Sequence, residues 1–460
     1  MKYPPFVEDH PQIQLLKWTF WPIEFLEDCA KRYGDCFVVR FGNVKPSVFF
    51  SHPDAIAELF SSTHAEILDS GRAQPMLKMV LGKHSTILLD GQEHRRHRQL
   101  ITPPLHGERM RTYGEIISQI TEQVTQDWQP GKSIVLHSYL SDITFKVIVK
   151  TIFGLRETER DQSLGVAVRK FLDAFKSPLL YYLAATLPIL QADLGPWSPG
   201  GNYQKQIQKL DQLMFAMIQD HRKHLNPAHI DMLTMLMLAT DETGASLSDV
   251  ELRDELLSLL FAGYDTSSTV TSWAFYYIHA NPAVKARLLE ELDRLGDNPS
   301  PSEIVKLPYL SAVCSESLRM RSAVPSSTPR INKAPICIQG YEFPPESQLV
   351  PAQHLTHHRP DLYPDPYRFN PDRFLNHPHS PSEFYPYGGG ARFCAGAAFA
   401  GYQMKLIVAT ILPKYQLELA HPGSIKTMRR GVNIAPKGGV KMVLKQIRVP
   451  AQKKVPLGLS

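Results

Sequence analysis

The sequence is short of cysteine. Its five are Cys29, Cys36, Cys314, Cys337 and Cys394, an odd and scattered set without a CxxC pair. That excludes a disulfide framework and a cysteine-rich zinc site, and it fits a reducing compartment. Strong charge is missing too: 50 basic residues face 45 acidic ones, for a net +5. With no dense Lys/Arg block, nucleic acid is excluded as a partner class, while an acidic protein remains compatible. Long apolar runs are absent. The most apolar stretch, SPLLYYLAATLPIL at 177–190, is broken by Pro188 and is too short to cross a bilayer. It reads as a buried helix end, or as a greasy loop at a substrate entrance or against a membrane surface. Prolines and acids interrupt the opening MKYPPFVEDHPQ. Neither a signal peptide nor a transmembrane anchor is therefore expected, and the location expected is cytoplasmic, with peripheral membrane contact as the alternative. Internal repeats and low-complexity tracts are lacking as well.

What is present is an ordinary globular composition, 43% apolar and 21% charged over 460 residues. FVVRFGNVKPSVFFSHP at 37–53 alternates and is rich in β-branched and aromatic residues, which predicts a hairpin. From about 90 to 293 the helical period dominates. A second strand-like zone covers 331–351, and an irregular Pro- and aromatic-rich stretch covers 357–378. An apolar helix is expected at 397–415 and a final hairpin at 431–449. The expectation is one mainly α domain, 1–460, with a small β-rich lobe from 30–70 and 331–355. The helical lobe is expected mainly from 90–325 and 394–415. A long loop inside such a domain hints at function.

FYPYGGGARFCAG, at 384–396, sets three glycines before a lone cysteine. A phosphate loop does not fit: the third glycine of GxGxxG falls on Phe393, and a Walker pattern would need glycine at Ala391. A cysteine nucleophile needs a base within reach, and eighteen histidines leave that open. The apolar residues around Cys394 suit an enclosed metal ligand better. A helix start favours thiolate, Arg392 adds a cation that can bind a carboxylate in bidentate fashion, and one cysteine suffices as the fifth ligand of a haem iron.

At this point the chain resembles the cytochrome P450 family. YGGGARFCAG resembles its haem-binding signature, with Tyr387 where the family mostly has phenylalanine. The resemblance implies Cys394 as iron ligand. It places Pro386, Tyr387, Gly388, Arg392 and Gly396 around haem b, which would lie between a long central helix and the cysteine loop. LLFAGYDTSSTVTSW resembles the central helix over the distal haem face. There Ala262 would meet the cofactor, and Asp265 and Thr266 would be the acid–alcohol pair that relays protons. A Thr266 hydroxyl bonded to the Ala262 carbonyl would open the helical ladder into a groove. Glu316 and Arg319, in the ExxR pattern, would lock to Arg373 as a structural trio. His94 and Arg98, four apart in DGQEHRRHRQL, and Arg330 resemble propionate-binding positions, so His94, Arg98, Arg330 and Arg392 would form a cationic set. The three histidines of HLTHH, 354–358, lack a zincin pattern and match the family's strand-to-loop passage.

The resemblance implies monooxygenation: one atom of O2 enters a hydrophobic substrate such as a fatty acid, alkane or terpenoid, as in cyanobacterial members. Pocket walls would include Phe261, Ala262 and Val324, with the segments 68–89, 171–217 and 432–434. With no flavin or nicotinamide fingerprint, electrons would come from a separate ferredoxin and its reductase, docked near Arg95, Arg96 and Arg98. A monomer is expected. The alternatives are a peroxide-driven hydroxylase or haem isomerase of the same fold, or a non-catalytic haem gas sensor.

Overall fold

The computed structural model describes residues 3–42, 44–154, 159–174, 176–187, 194–195, 197–296 and 298–448. Its axis is a helix of 32 residues, Asp249–Ala280, about 48 Å long at 1.5 Å per residue. The start of this central helix is set by a capping box: Glu251 N–H donates to Ser248 Oγ at 3.3 Å, and Ser248 N–H donates to Glu251 Oε2 at 2.8 Å. Two orphan donors are thereby satisfied. Helix Leu136–Phe153 packs along it. Gly263 makes that approach close, because a Cβ there would sit 2.9 Å from Ile148 Cδ1. The helix is unbroken through Gly263. Helices Arg109–Thr125, Pro308–Met320 and Ala397–Lys414 complete the main apolar core around it. The methionines Met214, Met217, Met232, Met235 and Met237 are buried in this core.

The strands are β1 (Cys36–Val39), β2 (Ser47–Phe50), β3 (Leu68–Asp69), β4 (Ser133–Val135), β5 (Arg330–Asn332) and β6 (Ile336–Ile338). After them come β7 (Tyr341–Phe343), β8 (Gln348–Pro351), β9 (Tyr415–Leu419), β10 (Thr427–Arg430), β11 (Asn433–Pro436) and β12 (Lys441–Ile447). The largest sheet has five strands in the order β1-β2-β8-β5-β3. The expected 37–53 hairpin is its β1–β2 pair, with Cys36 opposite Phe50. The fold is thus mainly helical with a small β lobe. One expectation needs correction. The segment 431–449 is no hairpin: β11 pairs back onto β10, and β12 pairs with β9 and β4. The glycines of KGG, with Gly438 and Gly439 at positive φ, look like a hairpin turn locally. They join two different sheets instead.

The apolar stretch 177–190 is also corrected in part. Helix Pro178–Thr186 lies at the surface, with Leu179 and Leu180 more than half exposed (54% and 55%), so it is no buried helix end. Residues 188–190 fall outside the described residues. Among the described residues no helix is long and apolar enough to cross a membrane.

Candidate active site

The cysteine loop is held from three sides. Cys394 N–H donates to Tyr387 O at 3.0 Å, closing the loop on itself. Gln353 Nε2 donates to Pro386 O at 3.1 Å. The third hold explains the glycines. Gly388 and Gly390 have φ of +69° and +62°, a region that side chains with a Cβ rarely adopt. A Cβ on Gly389 would fall 2.2 Å from Phe60 Cδ2, and one on Gly390 would fall 2.7 Å from Phe60 O. The close neighbour of these two glycines is the last residue of helix Pro53–Phe60, which the sequence did not reveal. At Gly396 a Cβ would meet nothing within 4 Å.

Cys394 is exposed yet hemmed in by protein, and this enclosure pushes its thiol above the ordinary range. The Gly396 N–H and Arg98 oppose that rise without cancelling it. Among the described residues no histidine hydrogen-bonds to Cys394. A raised thiol without a base is a poor nucleophile and a good ligand for a cation that displaces its proton. Tyr387 is stacked edge-on to Phe393 at 6.5 Å. Burial, then Cys394, raises its hydroxyl, which has no hydrogen-bond partner among the described residues.

Helix Gly91–Ile101 joins the cysteine loop to the central helix. On one side Arg98 Nη2 donates to Phe393 O at 2.8 Å. On the other, His97 Nδ1 lies 2.7 Å from Glu255 and Nε2 lies 3.2 Å from Glu251. Burial alone would lower His97, but the two glutamates outweigh it and the net shift is upward. A raised folded-state pKa stabilises below the unfolded value, about 6.5, and the gain is lost as pH rises through the folded value. The thermal destabilisation caused by His97→Asn is therefore expected to be larger at pH 6 than at pH 9. Melting curves of both proteins at the two pH values check this, and a cost that grows with pH would contradict it.

His94 lies within electrostatic reach of Arg392, Arg98 and Arg330. Burial, then Arg392 and Arg98, lowers His94 to about 3. It is therefore neutral near pH 7, and the cations are the three arginines. Arg330 is buried and pushed down to about 9 by desolvation, then by Arg392. Its guanidinium donates to Thr328 O at 2.5 Å and Gly389 O at 3.2 Å. Arg392 is engaged by Asp90 and donates to Leu89 O at 2.5 Å and Thr86 O at 3.2 Å. Asp90 also accepts from the N–H groups of Ser70 (2.8 Å), Gly71 (2.9 Å) and Arg72 (3.1 Å). Among the described residues Arg98, Arg330 and Arg392 thus share a single paired carboxylate. Enclosed charge of one sign calls for counter-charge, and a group that carries carboxylates, as haem does, fits this set. Arg96, expected on the docking face, is paired with Asp241 at 2.6 Å and Glu251 at 2.9 Å.

On the central helix, Ala262 is exposed and Thr266 partly so, between the buried Leu260 and Ser267. Thr266 Oγ1 donates to Ala262 O at 2.5 Å. Phe261 is partly buried against the core. Asp265 is held on the side of β10 and β11. Its Oδ2 accepts from Asn433 Nδ2 at 2.8 Å, and its Oδ1 has Lys176 at 3.3 Å and Arg430 at 3.6 Å. Sequence reasoning missed Lys176, Arg430 and Asn433. Val324 lines a small recess with Ile23 and Ile434. The segment 171–217, also expected to line the pocket, is described only in part.

Glu316 and Arg319 form a fully buried two-point pair at 2.6 and 2.8 Å, and Arg373 Nε lies 3.4 Å from Glu316. The HLTHH histidines are tied into the fold. His354 meets Glu27 at 2.8 Å, His357 Nε2 accepts from Tyr385 N–H at 3.0 Å, and His358 Nδ1 meets His354 O at 2.8 Å.

An exposed thiol, an arginine trio of which Arg330 is buried and Arg98 and Arg392 are half-buried, and an accessible turn in a long buried helix fit haem. The comparisons agree. The family model described as Cytochrome P450 matches residues 4–442. The chain belongs to the cytochrome P450 family, whose members are haem-thiolate oxidoreductases and commonly monooxygenases with haem b. Cytochrome P450 135B1 of Mycobacterium tuberculosis is 30% identical over 450 residues, covering 97% of this chain and 92% of the relative. Cytochrome P450 138 of the same species is 29% identical, covering 97% of each. A solved cyanobacterial P450 with retinoic acid bound has a TM-score of 0.82 at 24% identity, covering 96% of this chain and 99% of its own. The haem domain of cytochrome P450DA has a TM-score of 0.84 at 20% identity, covering 98% and 99%. These two likenesses show the fold.

Proposed function

We propose that the protein is a monomeric, single-domain monooxygenase that inserts one oxygen atom of O2 into a hydrophobic substrate of fatty-acid, alkane or terpenoid type. The observation that carries this is the pairing of an exposed Cys394, with no histidine bonded to it among the described residues, with a charge-unbalanced arginine trio centred on the buried Arg330. Haem, which Cys394 would hold through its thiolate, would supply dioxygen activation and oxygen insertion when bound. The chain supplies the rest. Arg98 and Arg330 hold the propionates, with His94 as a neutral hydrogen-bonding partner. Arg392 stiffens that wall through Asp90. Thr266 keeps its hydroxyl proton on Ala262 O, which leaves its lone pairs free to accept a proton on the recess side. Asp265, one residue away, is the acid that passes protons to it. Ala262, Phe261 and Val324 give the substrate an apolar wall. Retinoic acid, the ligand of the cyanobacterial structure, is of this chemical class and is the first probe to titrate.

Electrons come from a separate ferredoxin and its reductase, with Arg95 as the remaining cation of the proposed docking face. The acid–alcohol pair favours this over a peroxide-driven hydroxylase, a haem isomerase or a gas sensor, none of which needs a proton relay. The test is the absorption spectrum of the reduced, carbon monoxide-bound protein. A strongly red-shifted Soret band is expected, and Cys394→Ala is expected to abolish it. A normal haem–CO band in the parent protein would refute the ligand assignment.

A further inference from the structure

Glu255 is a fully buried acid on the central helix, and the groups it binds are far from it in sequence. Its Oε1 receives three donors: Thr86 N–H at 2.9 Å, the Thr86 hydroxyl at 2.5 Å and His97 Nδ1 at 2.7 Å. A carboxylate only accepts, so Nδ1 carries the proton. Thr86 and His97 are themselves buried. Hydrogen bonds to a carboxylate are roughly twice as strong as neutral ones, and a donor left unpaired in the interior is costly. Adjacent helix positions hold the same stretch of chain. His84 N–H donates to Asp254 Oδ2 at 2.9 Å, Ser258 Oγ lies 2.6 Å from Ser85 Oγ, and a Cβ on Gly82 would fall 2.1 Å from Asp254 Oδ1. Residues 82–86 are thus pressed onto the helix at 254–258.

Two arms lead from this carboxylate to the cysteine loop. The first runs through Thr86. Its N–H and hydroxyl are spent on Glu255, and its carbonyl accepts from Arg392 Nη1 at 3.2 Å. The second runs through His97, whose neighbour Arg98 donates to Phe393 O at 2.8 Å. Glu255 also acts on Arg98 through space: burial lowers the Arg98 guanidinium, and Cys394 and then Glu255 oppose that fall. Helical spacing explains neither arm, since each joins elements that only the fold brings together.

We propose that Glu255 is a positioning residue for the haem seat. Through Thr86 it fixes the wall that Arg392 stiffens, and through His97 it fixes the helix turn from which Arg98 reaches the haem carboxylates. One carboxylate on the central helix thereby sets two of the three arginines. The proposal rests on the reading of Arg98 as a holder of those carboxylates.

Two readouts on the haem-loaded protein decide it. Transfer of haem to excess apomyoglobin gives the rate of haem loss. The propionate-bending band of the resonance Raman spectrum reports hydrogen bonding at the haem carboxylates. Glu255→Leu fills the space without an acceptor. It is expected to lose haem about tenfold faster, the worth of one hydrogen bond to a charged group, and to shift the band to lower frequency. Glu255→Gln keeps an acceptor for the three donors and is expected to stay within about threefold of the parent. Leu256→Ala opens a cavity at the adjacent buried position. It is expected to lower the denaturant midpoint at least as far as Glu255→Leu, yet to leave the band in place and haem loss within about twofold of the parent. Equal effects of Leu256→Ala and Glu255→Leu on both readouts would mean general loosening and would overturn the proposal. So would a Glu255→Leu protein with the parent's band and rate. If Glu255→Leu does not fold, Thr86→Val decides, because it removes the shortest of the three bonds at constant volume. The same band shift and faster haem loss are expected there, with Thr86→Ser near the parent, and a parent-like Thr86→Val would overturn the proposal. Arg98→Ala separates the two readings. If it moves neither readout, Arg98 does not hold the haem carboxylates. If it moves both and Glu255→Leu moves neither, only the role of Glu255 fails.

Discussion

Glu316→Ala is expected to lower stability by about 3–5 kcal/mol, the cost of leaving buried charge without its partner, and to strip the protein of haem. Glu316 is fully buried and takes four interactions. Arg319 reaches both of its oxygens, at 2.6 and 2.8 Å, Asn370 N–H donates at 2.9 Å, and Arg373 lies at 3.4 Å. Arg319 also donates to His357 O at 2.6 Å and lies 4.9 Å from the Tyr363 ring. Removing the carboxylate leaves two guanidinium groups facing each other with no anion. It also cuts the link between helix Pro308–Met320 and the irregular segment that leads into the cysteine loop. Denaturant midpoints and the haem-to-protein ratio measure the two losses. Glu316→Gln keeps an acceptor and is expected to lose less. A Glu316→Ala protein that melts with the parent and keeps its haem would show that the trio is dispensable.

Thr266→Ala is expected to retain haem and the red-shifted carbon monoxide spectrum, yet to lower product formed per NADPH by roughly 10²-fold, the low end for a positioned proton transfer. The missing product is expected as hydrogen peroxide. The physical ground is local. The hydroxyl bonds to the carbonyl one turn back at 2.5 Å, so the lost group holds a proton beside the recess and carries little of the packing. Thr266→Ser keeps the oxygen and is expected to restore coupling. Equal product per electron in Thr266→Ala and the parent would remove Thr266 from the relay.

The parts of the site that were legible in the sequence are those whose geometry follows from helical spacing. Glu316 and Arg319 share a face because they are three apart, and Thr266 reaches Ala262 O because it is four on. The partners that were not legible are distant in sequence. Asp90 and Arg392 are 302 residues apart, and Asp265 and Asn433 are 168 apart. Period and propensity carry no information about such pairs. His94 was misjudged as a cation because its charge depends first on its burial and then on the arginines that the fold gathers around it. The 431–449 hairpin was misjudged because a glycine-rich connection reads the same whether the following strand turns back or moves to another sheet. For the glycines of the cysteine loop, the backbone freedom was legible, whereas the Phe60 contact that requires it was not.

That contact ties the cysteine loop to the β lobe. Phe60 ends a helix that packs into the β-lobe core with Val48, Phe50 and Leu349, and its ring and carbonyl occupy the space that any larger residue at Gly389 or Gly390 would need. The β lobe is thus one wall of the mould in which the loop lies, and defects far from Cys394 in β1, β2 or β8 are expected to surface as colourless protein.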